Sequence, residues 1–213
     1  LLEAGLDVFL IEWTDPGPDD HDTGLADYIC DMLDQCVDAA CAVRNENAIN
    51  LLGVCQGGTF SLCYTALFPH KVRNLVTMVT PVDFHDPDFL LSKWVREMDV
   101  DQMVDTMGNI PGDFLNFAFV SMKPYALTGQ KYLDLVSIMG DERKLGNFMR
   151  MEKWIFDSPD QAGECFRQFA KEFFQKNGLM QGDVVLGDRR VDLKNVTMPV
   201  FNVFATKDHV VPP

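Results

Sequence analysis

Six residues near the first quarter of the chain have the types and spacing of a nucleophilic site. They read Gly53-Val54-Cys55-Gln56-Gly57-Gly58, a G-x-C-x-G pattern between a strand-like and a helix-like run. In such a turn the central residue has a strained backbone, and the glycines are needed because side chains there would clash with the neighbouring strand and helix. The pattern predicts Cys55 as the nucleophile and Gly53, Gly57 and Gly58 as the glycines that shape the turn.

The position of Cys55 predicts how its sulfur would react. The turn puts the sulfur at the start of the following helix, where the helix dipole and free N–H groups favour a thiolate. The backbone N–H of Gln56 would point at a developing oxyanion. The alternative is a glycine-rich turn used only for packing, and phosphate binding is disfavoured because the loop lacks the Gly-Lys-Ser/Thr ending.

Asp208 is the candidate acid of the same site. It directly follows a strand-like run and lies 208 − 55 = 153 residues after Cys55, which suits the chain order nucleophile, acid, histidine. Without the Cys55 turn, it would be read as a solvated turn aspartate.

A catalytic histidine is not evident in these residues. His21, His70 and His85 lie in loops and are interpreted as surface or capping residues. His209 adjoins Asp208 and, because neighbouring side chains diverge at a strand end, is assigned a supporting role. We expect the base beyond Pro213 and the second oxyanion donor before Leu1, so that this piece alone would be inactive.

Strand-like and helix-like runs alternate around these candidates, which predicts a parallel sheet covered on both faces. The predicted strands are 6–12, 47–54, 73–80 and 198–205, and the predicted helices of the sheet region are 25–44 and 59–68. The sheet region is expected to comprise residues 1–84 and 196–213. Residues 85–195, rich in Phe and Trp, are predicted to form an inserted, mostly helical cap.

Composition disfavours several classes of ligand and of site. A formal net charge of −14 disfavours nucleic acid and anionic lipid as ligands. The six cysteines lack CxxC spacing and are interpreted as reduced thiols, and no metal site, membrane span or signal peptide is evident.

Several segments together resemble class III polyhydroxyalkanoate synthases. They are 53–60, 76–84, 108–112, 151–160 and 191–199, the last leading into Asp208 and His209. The resemblance runs from about Gly5 to the end, although the loop from Thr14 to Thr23 departs from the family pattern. It implies an α/β-hydrolase fold with a helical cap.

The resemblance also implies an activity. Cys55 would carry the acyl group while (R)-3-hydroxyacyl-CoA, typically 3-hydroxybutyryl-CoA, is polymerised with release of CoA, and Asp208 would help activate the 3-hydroxyl of the incoming unit. No cofactor is implied, because the CoA thioester is substrate and leaving group. The implied partners are the growing polyester chain, a second copy of the chain and a non-catalytic subunit of the PhaE type, in the cytoplasm at polyester granule surfaces.

Two other functions remain open from the residues. One is a thioesterase or hydrolase in which water replaces the alcohol, although a long aromatic cap suits acyl transfer to an alcohol better. The other is a non-catalytic granule-surface protein that keeps the fold for interaction.

Overall fold

A computed structural model of the chain describes residues 1–208 and 210–213. The strands, in chain order, are β1 (Ile49–Val54), β2 (Val72–Met78), β3 (Val185–Leu186), β4 (Arg189–Arg190) and β5 (Val200–Val203). The α-helices are α1 (Leu33–Arg44), α2 (Gln56–Leu67), α3 (Leu90–Arg96), α4 (Val100–Met107), α5 (Gly112–Met122), α6 (Lys131–Ile138), α7 (Glu142–Phe156), α8 (Gly163–Phe169) and α9 (Gly178–Gln181). π-Helical segments directly precede α1 and α6 and directly follow α8.

The main sheet consists of three parallel strands in the order β1-β2-β5, while β3 and β4 form a separate antiparallel pair. Gly53 lies opposite Thr77, which lies opposite Asn202. Hydrogen bonds extend this register past the strand ends, because the N–H of Cys55 donates to the carbonyl of Met78 at 2.8 Å. The carboxyl ends of the strands therefore meet at one edge, where Cys55 lies.

The predicted strands at 47–54, 73–80 and 198–205 are confirmed to within two residues at each end. The predicted strand at 6–12 is wrong: the segment belongs to no ladder, and Leu10 is 89% exposed. An apolar run favours extended backbone, but a strand also needs a partner edge. Among the described residues, β1 pairs only with β2.

One part of the hydrophobic core lies between the main sheet and the first two α-helices. The predicted amphipathic helix over 25–44 is confirmed, with a π-helical first part, and its buried stripe includes Leu25, Ile29, Leu33 and Val37. Helix α2, predicted over 59–68, begins three residues earlier and is buried over most of its surface. It packs against β1 and β2, so the core fixes the helix whose first turn adjoins Cys55.

Only one face of the main sheet is covered by helices in the part of the chain that the structure describes. Leu52 and Val54 are each 46% exposed, and Phe201 is 66% exposed. The expectation of helices on both faces is therefore not met in these residues. Apolar residues on both faces of a strand suit burial on both sides, but they do not identify the segment that covers each side.

The segment predicted as a cap divides into two parts with different packing. Phe84, Phe89, Phe169, Phe173 and Phe174 form an aromatic cluster within the main core. By contrast, helices α5 to α7 bury only one residue, Gly112, among those described. Because the core contains residues from both sides of the predicted boundary at residues 84 and 85, the division into a core and a cap stays a prediction.

Candidate active site

Cys55 occupies a strained backbone conformation between β1 and α2. Its φ of 53° and ψ of −121° are unusual for a residue with a side chain. Val79, which follows the neighbouring strand, also has a positive φ, 45°, and this conformation is especially costly for a β-branched residue. Strained residues of this kind cluster at functional sites, where surrounding contacts hold them in place.

Two of the three predicted glycines are required by close packing. A Cβ on Gly53 would lie 2.6 Å from the Cα of Gly58 and would overlap the carbonyl oxygen of Gly57. A Cβ on Gly58 would lie 2.7 Å from the Cβ of Thr80. At Gly57 it would meet nothing within 4 Å. The steric reason inferred for all three glycines therefore applies to Gly53 and Gly58, and not to Gly57.

The surroundings of Cys55 affect the pKa of its thiol in opposite directions. Burial raises the pKa above the ordinary value for cysteine, and the negative charge of Asp208 raises it further. A hydrogen bond from the backbone N–H of Gln56 lowers it. Burial is the largest of these effects and the pKa of the thiol is raised overall, contrary to the expectation that the helix start favours the thiolate. A base must therefore remove the proton near neutral pH.

Asp208 lies after β5, in the loop predicted for it. Its Oδ1 accepts hydrogen bonds from the backbone N–H groups of Val210 at 2.8 Å and Val211 at 3.1 Å. These bonds hold the half-buried carboxylate in place. Its charge raises the pKa of the Cys55 thiol, so the predicted acid lies within electrostatic range of the predicted nucleophile.

The charge of Asp208 gives a first test of this arrangement. Substitution of Asp208→Asn removes a negative charge that raises the pKa of the Cys55 thiol, so the thiolate should form at lower pH. We expect the pH profile for alkylation of Cys55 by iodoacetamide to shift downward, measured by mass spectrometry of the peptide that contains it. Asp188→Asn, at a side chain that is 99% exposed, is the matched control. A shift of equal size in both variants would contradict the placement of Asp208.

Two of the three histidines with a described position have a ring nitrogen next to a backbone carbonyl oxygen. A ring nitrogen of His21 lies 2.9 Å from the carbonyl oxygen of Pro18, and one of His85 lies 3.0 Å from that of Phe174. His70 lies in the turn after α2, at the end of that helix remote from Cys55. None of these contacts is with Cys55. His209, predicted to support Asp208, lies outside the described residues.

One residue at this site was missed from the sequence. The side-chain amide of Gln161 donates a hydrogen bond to Oε1 of Gln56 at 3.0 Å, across 105 residues of chain. Gln161 adjoins the segment 151–160 that carries part of the family resemblance, but no local pattern indicates its contact with Gln56.

The loop from Thr14 to Thr23, which departs from the family pattern, contacts the same region. Asn109 donates hydrogen bonds to the carbonyl oxygens of Pro16 at 3.1 Å and Gly17 at 2.8 Å. The N–H of Asp160 donates to Asp15 at 3.0 Å. The loop therefore packs on both the start and the end of the segment that contains α5 to α7.

Two kinds of feature are absent from the described residues. No group of three or more His, Cys, Asp or Glu side chains there is arranged to hold a metal ion. No helix in the same residues is long and apolar enough to cross a membrane.

Comparison with known proteins identifies relatives along the whole chain. A family model described as alpha/beta hydrolase fold matches residues 1–213. The chain is 59% identical over 213 residues to the poly(3-hydroxyalkanoate) polymerase subunit PhaC of Allochromatium vinosum, covering 100% of this chain and 60% of that protein. It is 57% identical to the subunit of the same name from Thiocystis violacea, with the same coverage. A PhaC subunit of Haloferax mediterranei is 39% identical, and the match covers 100% of this chain and 44% of that protein.

Solved structures give a more distant similarity. A mutant epoxide hydrolase from Bacillus megaterium superposes with a TM-score of 0.46 and 14% identity, covering 90% of this chain and 63% of that one. The chain spans about 60% of the length of the PhaC subunits of Allochromatium vinosum and Thiocystis violacea.

Proposed function

Because the chain belongs to the α/β-hydrolase fold family and is homologous along its whole length to PhaC subunits, we propose that it is the catalytic part of a polyhydroxyalkanoate synthase. The observation that carries this proposal is a strained cysteine, rather than a serine, between β1 and the first residue of α2, Gln56. The proposed substrate is an (R)-3-hydroxyacyl-CoA, and specifically 3-hydroxybutyryl-CoA.

The first half of the reaction loads the acyl group onto Cys55. The thiol loses its proton to a base, for which we propose a histidine, and the thiolate attacks the thioester carbonyl carbon. The Gln56 N–H, at the first residue of α2, would stabilise the oxyanion of the tetrahedral intermediate. The bond to the CoA sulfur then breaks, CoA leaves as its thiol, and Cys55 holds the acyl group as a thioester.

The second half transfers that acyl group to an alcohol. The 3-hydroxyl of another hydroxyacyl unit attacks the Cys55 thioester, an ester bond forms, and the cysteine sulfur leaves. We propose that Asp208 helps to remove the hydroxyl proton, a role supported by the effect of its charge on the pKa of the Cys55 thiol. Water would compete with the alcohol, so exclusion of water from the site decides whether polymer or free acid is formed.

Partners are a further part of the proposal. We propose a homodimer that works with a non-catalytic subunit of the PhaE type at the surface of polyester granules. The apolar surface of α5 to α7 supports an interaction of this kind, because large apolar side chains there are exposed: Phe117 by 70%, Trp154 by 72% and Phe156 by 60%. Co-purification of the full-length protein with such a subunit, and its loss when Phe117 and Trp154 are both changed to Ser, would test this part.

The activity itself is tested by following two products together. The full-length protein would be given 3-hydroxybutyryl-CoA, with CoA release measured by a thiol reagent and polymer measured by extraction and chromatography. Synthase activity predicts CoA release with polymer as the main product. CoA release with only free hydroxy acid would identify a thioesterase instead. No CoA release from folded protein, with the partner subunit also present, would favour the non-catalytic interaction protein.

A further inference from the structure

We propose that Gln161 is a positioning residue, which holds Gln56 in place beside Cys55 and so aligns the Gln56 backbone N–H with the reacting group. The evidence is the hydrogen bond from Nε2 of Gln161 to Oε1 of Gln56 at 3.0 Å. Gln56 is the first residue of α2, directly after Cys55. The role of Gln161 in catalysis rests on the function proposed above, whereas its effect on the Cys55 thiol does not.

The backbone of Gln161 is firmly anchored. Its N–H donates to the carbonyl oxygen of Ile110 at 2.9 Å, and its carbonyl oxygen accepts from the N–H of Ile110 at 2.8 Å. Ile110 is 0% exposed, and Ala162, next to Gln161, is 1% exposed. Because this backbone is already fixed, only the side-chain rotamers of Gln161 have to be ordered when it bonds to Gln56, so the contact can orient its partner.

The two hydrogen bonds between Ile110 and Gln161 also join the start and the end of the segment that contains α5 to α7. We use the name neck for the two ends of this segment, residues 109–112 and 158–163. The N–H of Gly112 donates to Asp160 at 2.8 Å, and a Cβ on Gly112 would overlap the carbonyl oxygen of Ser158. The neck is therefore closely packed, and Gln161 connects it directly to the first turn of α2.

A neutral amide at this position also suits the electrostatics of the site. Asp208 already places one negative charge close enough to raise the pKa of the Cys55 thiol. A second carboxylate next to Gln56 would make the thiolate harder to form. Gln161 can donate to Gln56 without adding charge.

Loss of the Gln161 side chain should weaken catalysis without weakening substrate binding. In Gln161→Ala, Oε1 of the half-buried Gln56 loses its donor, and we expect kcat for CoA release to fall about 5- to 10-fold with little change in KM, as for one lost hydrogen bond. Gln161→Glu keeps a hydrogen bond, because Gln56 can turn its amide and donate to the carboxylate. It should therefore recover part of kcat at high pH.

The decisive measurement is alkylation of Cys55 by iodoacetamide as a function of pH, in the full-length protein and without any thioester substrate. Gln161→Glu should shift the profile upward by about half a pH unit, since its carboxylate disfavours the thiolate. Gln181→Glu, at an exposed glutamine, is the charge-matched control and should leave the profile unchanged. Gln56→Ala and Gln161→Ala should change the alkylation rate non-additively when combined.

Each result decides for or against the positioning role. An unshifted profile in folded Gln161→Glu, or additive rates in the double variant, would overturn it. Coupled alkylation rates in a protein that never releases CoA would support the positioning role and count against the synthase. CoA release that is insensitive to Gln161→Ala would leave the synthase intact and reject the positioning role.

Discussion

Cys55→Ala should lower CoA release from 3-hydroxybutyryl-CoA by at least about 10⁴-fold, because it removes the proposed nucleophile, on which both halves of the proposed reaction depend. The remaining groups, including the Gln56 N–H, could still bind and polarise a thioester, but no acyl-enzyme could form. Polymer formation should be lost together with CoA release. Cys55→Ser should also be severely impaired, since a hydroxyl is far harder to deprotonate than a thiol in this buried position.

The control for this experiment is another cysteine of similar burial. Cys36 lies on α1 and, like Cys55, is half-buried. Cys36→Ala should keep activity within about twofold of wild type, because ordinary substitutions away from special features change stability little. Mass spectrometry of the protein after brief exposure to substrate should show an acyl adduct on the Cys55 peptide in wild type. Wild-type CoA release from Cys55→Ala would contradict the proposed mechanism.

The sequence predicted the parts of the fold that depend on local pattern. The parallel strands and the α2 helix were found because apolar runs alternate with turn residues around Cys55, and the α/β-hydrolase fold itself is confirmed by the family match. Residues 6–12 have the same apolar character as β1 but no ladder. Whether a segment of strand type finds a partner depends on tertiary placement, which a single run of residues does not encode.

The candidate site could likewise be predicted only where it depends on local sequence. Cys55 and Asp208 could be selected because an elbow and a loop after a late strand are features of local sequence. The contact between Gln56 and Gln161 could not, because it joins positions 105 residues apart through an amide with no distinctive neighbours. The contact of the loop near Asp15 with Asp160 could not be predicted from the sequence for the same reason.

Gly58→Ala should destabilise the protein strongly and reduce its activity at the same time. All three side-chain atoms of Thr80 would contact the added Cβ, including the Cβ of Thr80 at 2.7 Å. Rotation of the threonine therefore cannot clear the space. The neighbouring hydrogen bond from Oγ1 of Thr59 to the carbonyl oxygen of Pro81, at 3.0 Å, holds the start of α2 against this segment. We expect a loss of about 3 kcal/mol in the free energy of unfolding, as for an overpacked core.

Gly57→Ala is the matched control, since it adds the same methyl group one residue earlier in the same helix. Because a Cβ there meets nothing within 4 Å, the folded state should accept it, and alanine should raise stability by up to about 1 kcal/mol through its helix propensity. Urea unfolding of both variants, followed by circular dichroism, measures the difference directly. If the two variants were equally stable, Gly58 and Thr80 could not be in the close contact that sets the start of α2. If Gly58→Ala alone is destabilised, the tight approach to the segment after β2 is what fixes the helix start beside Cys55.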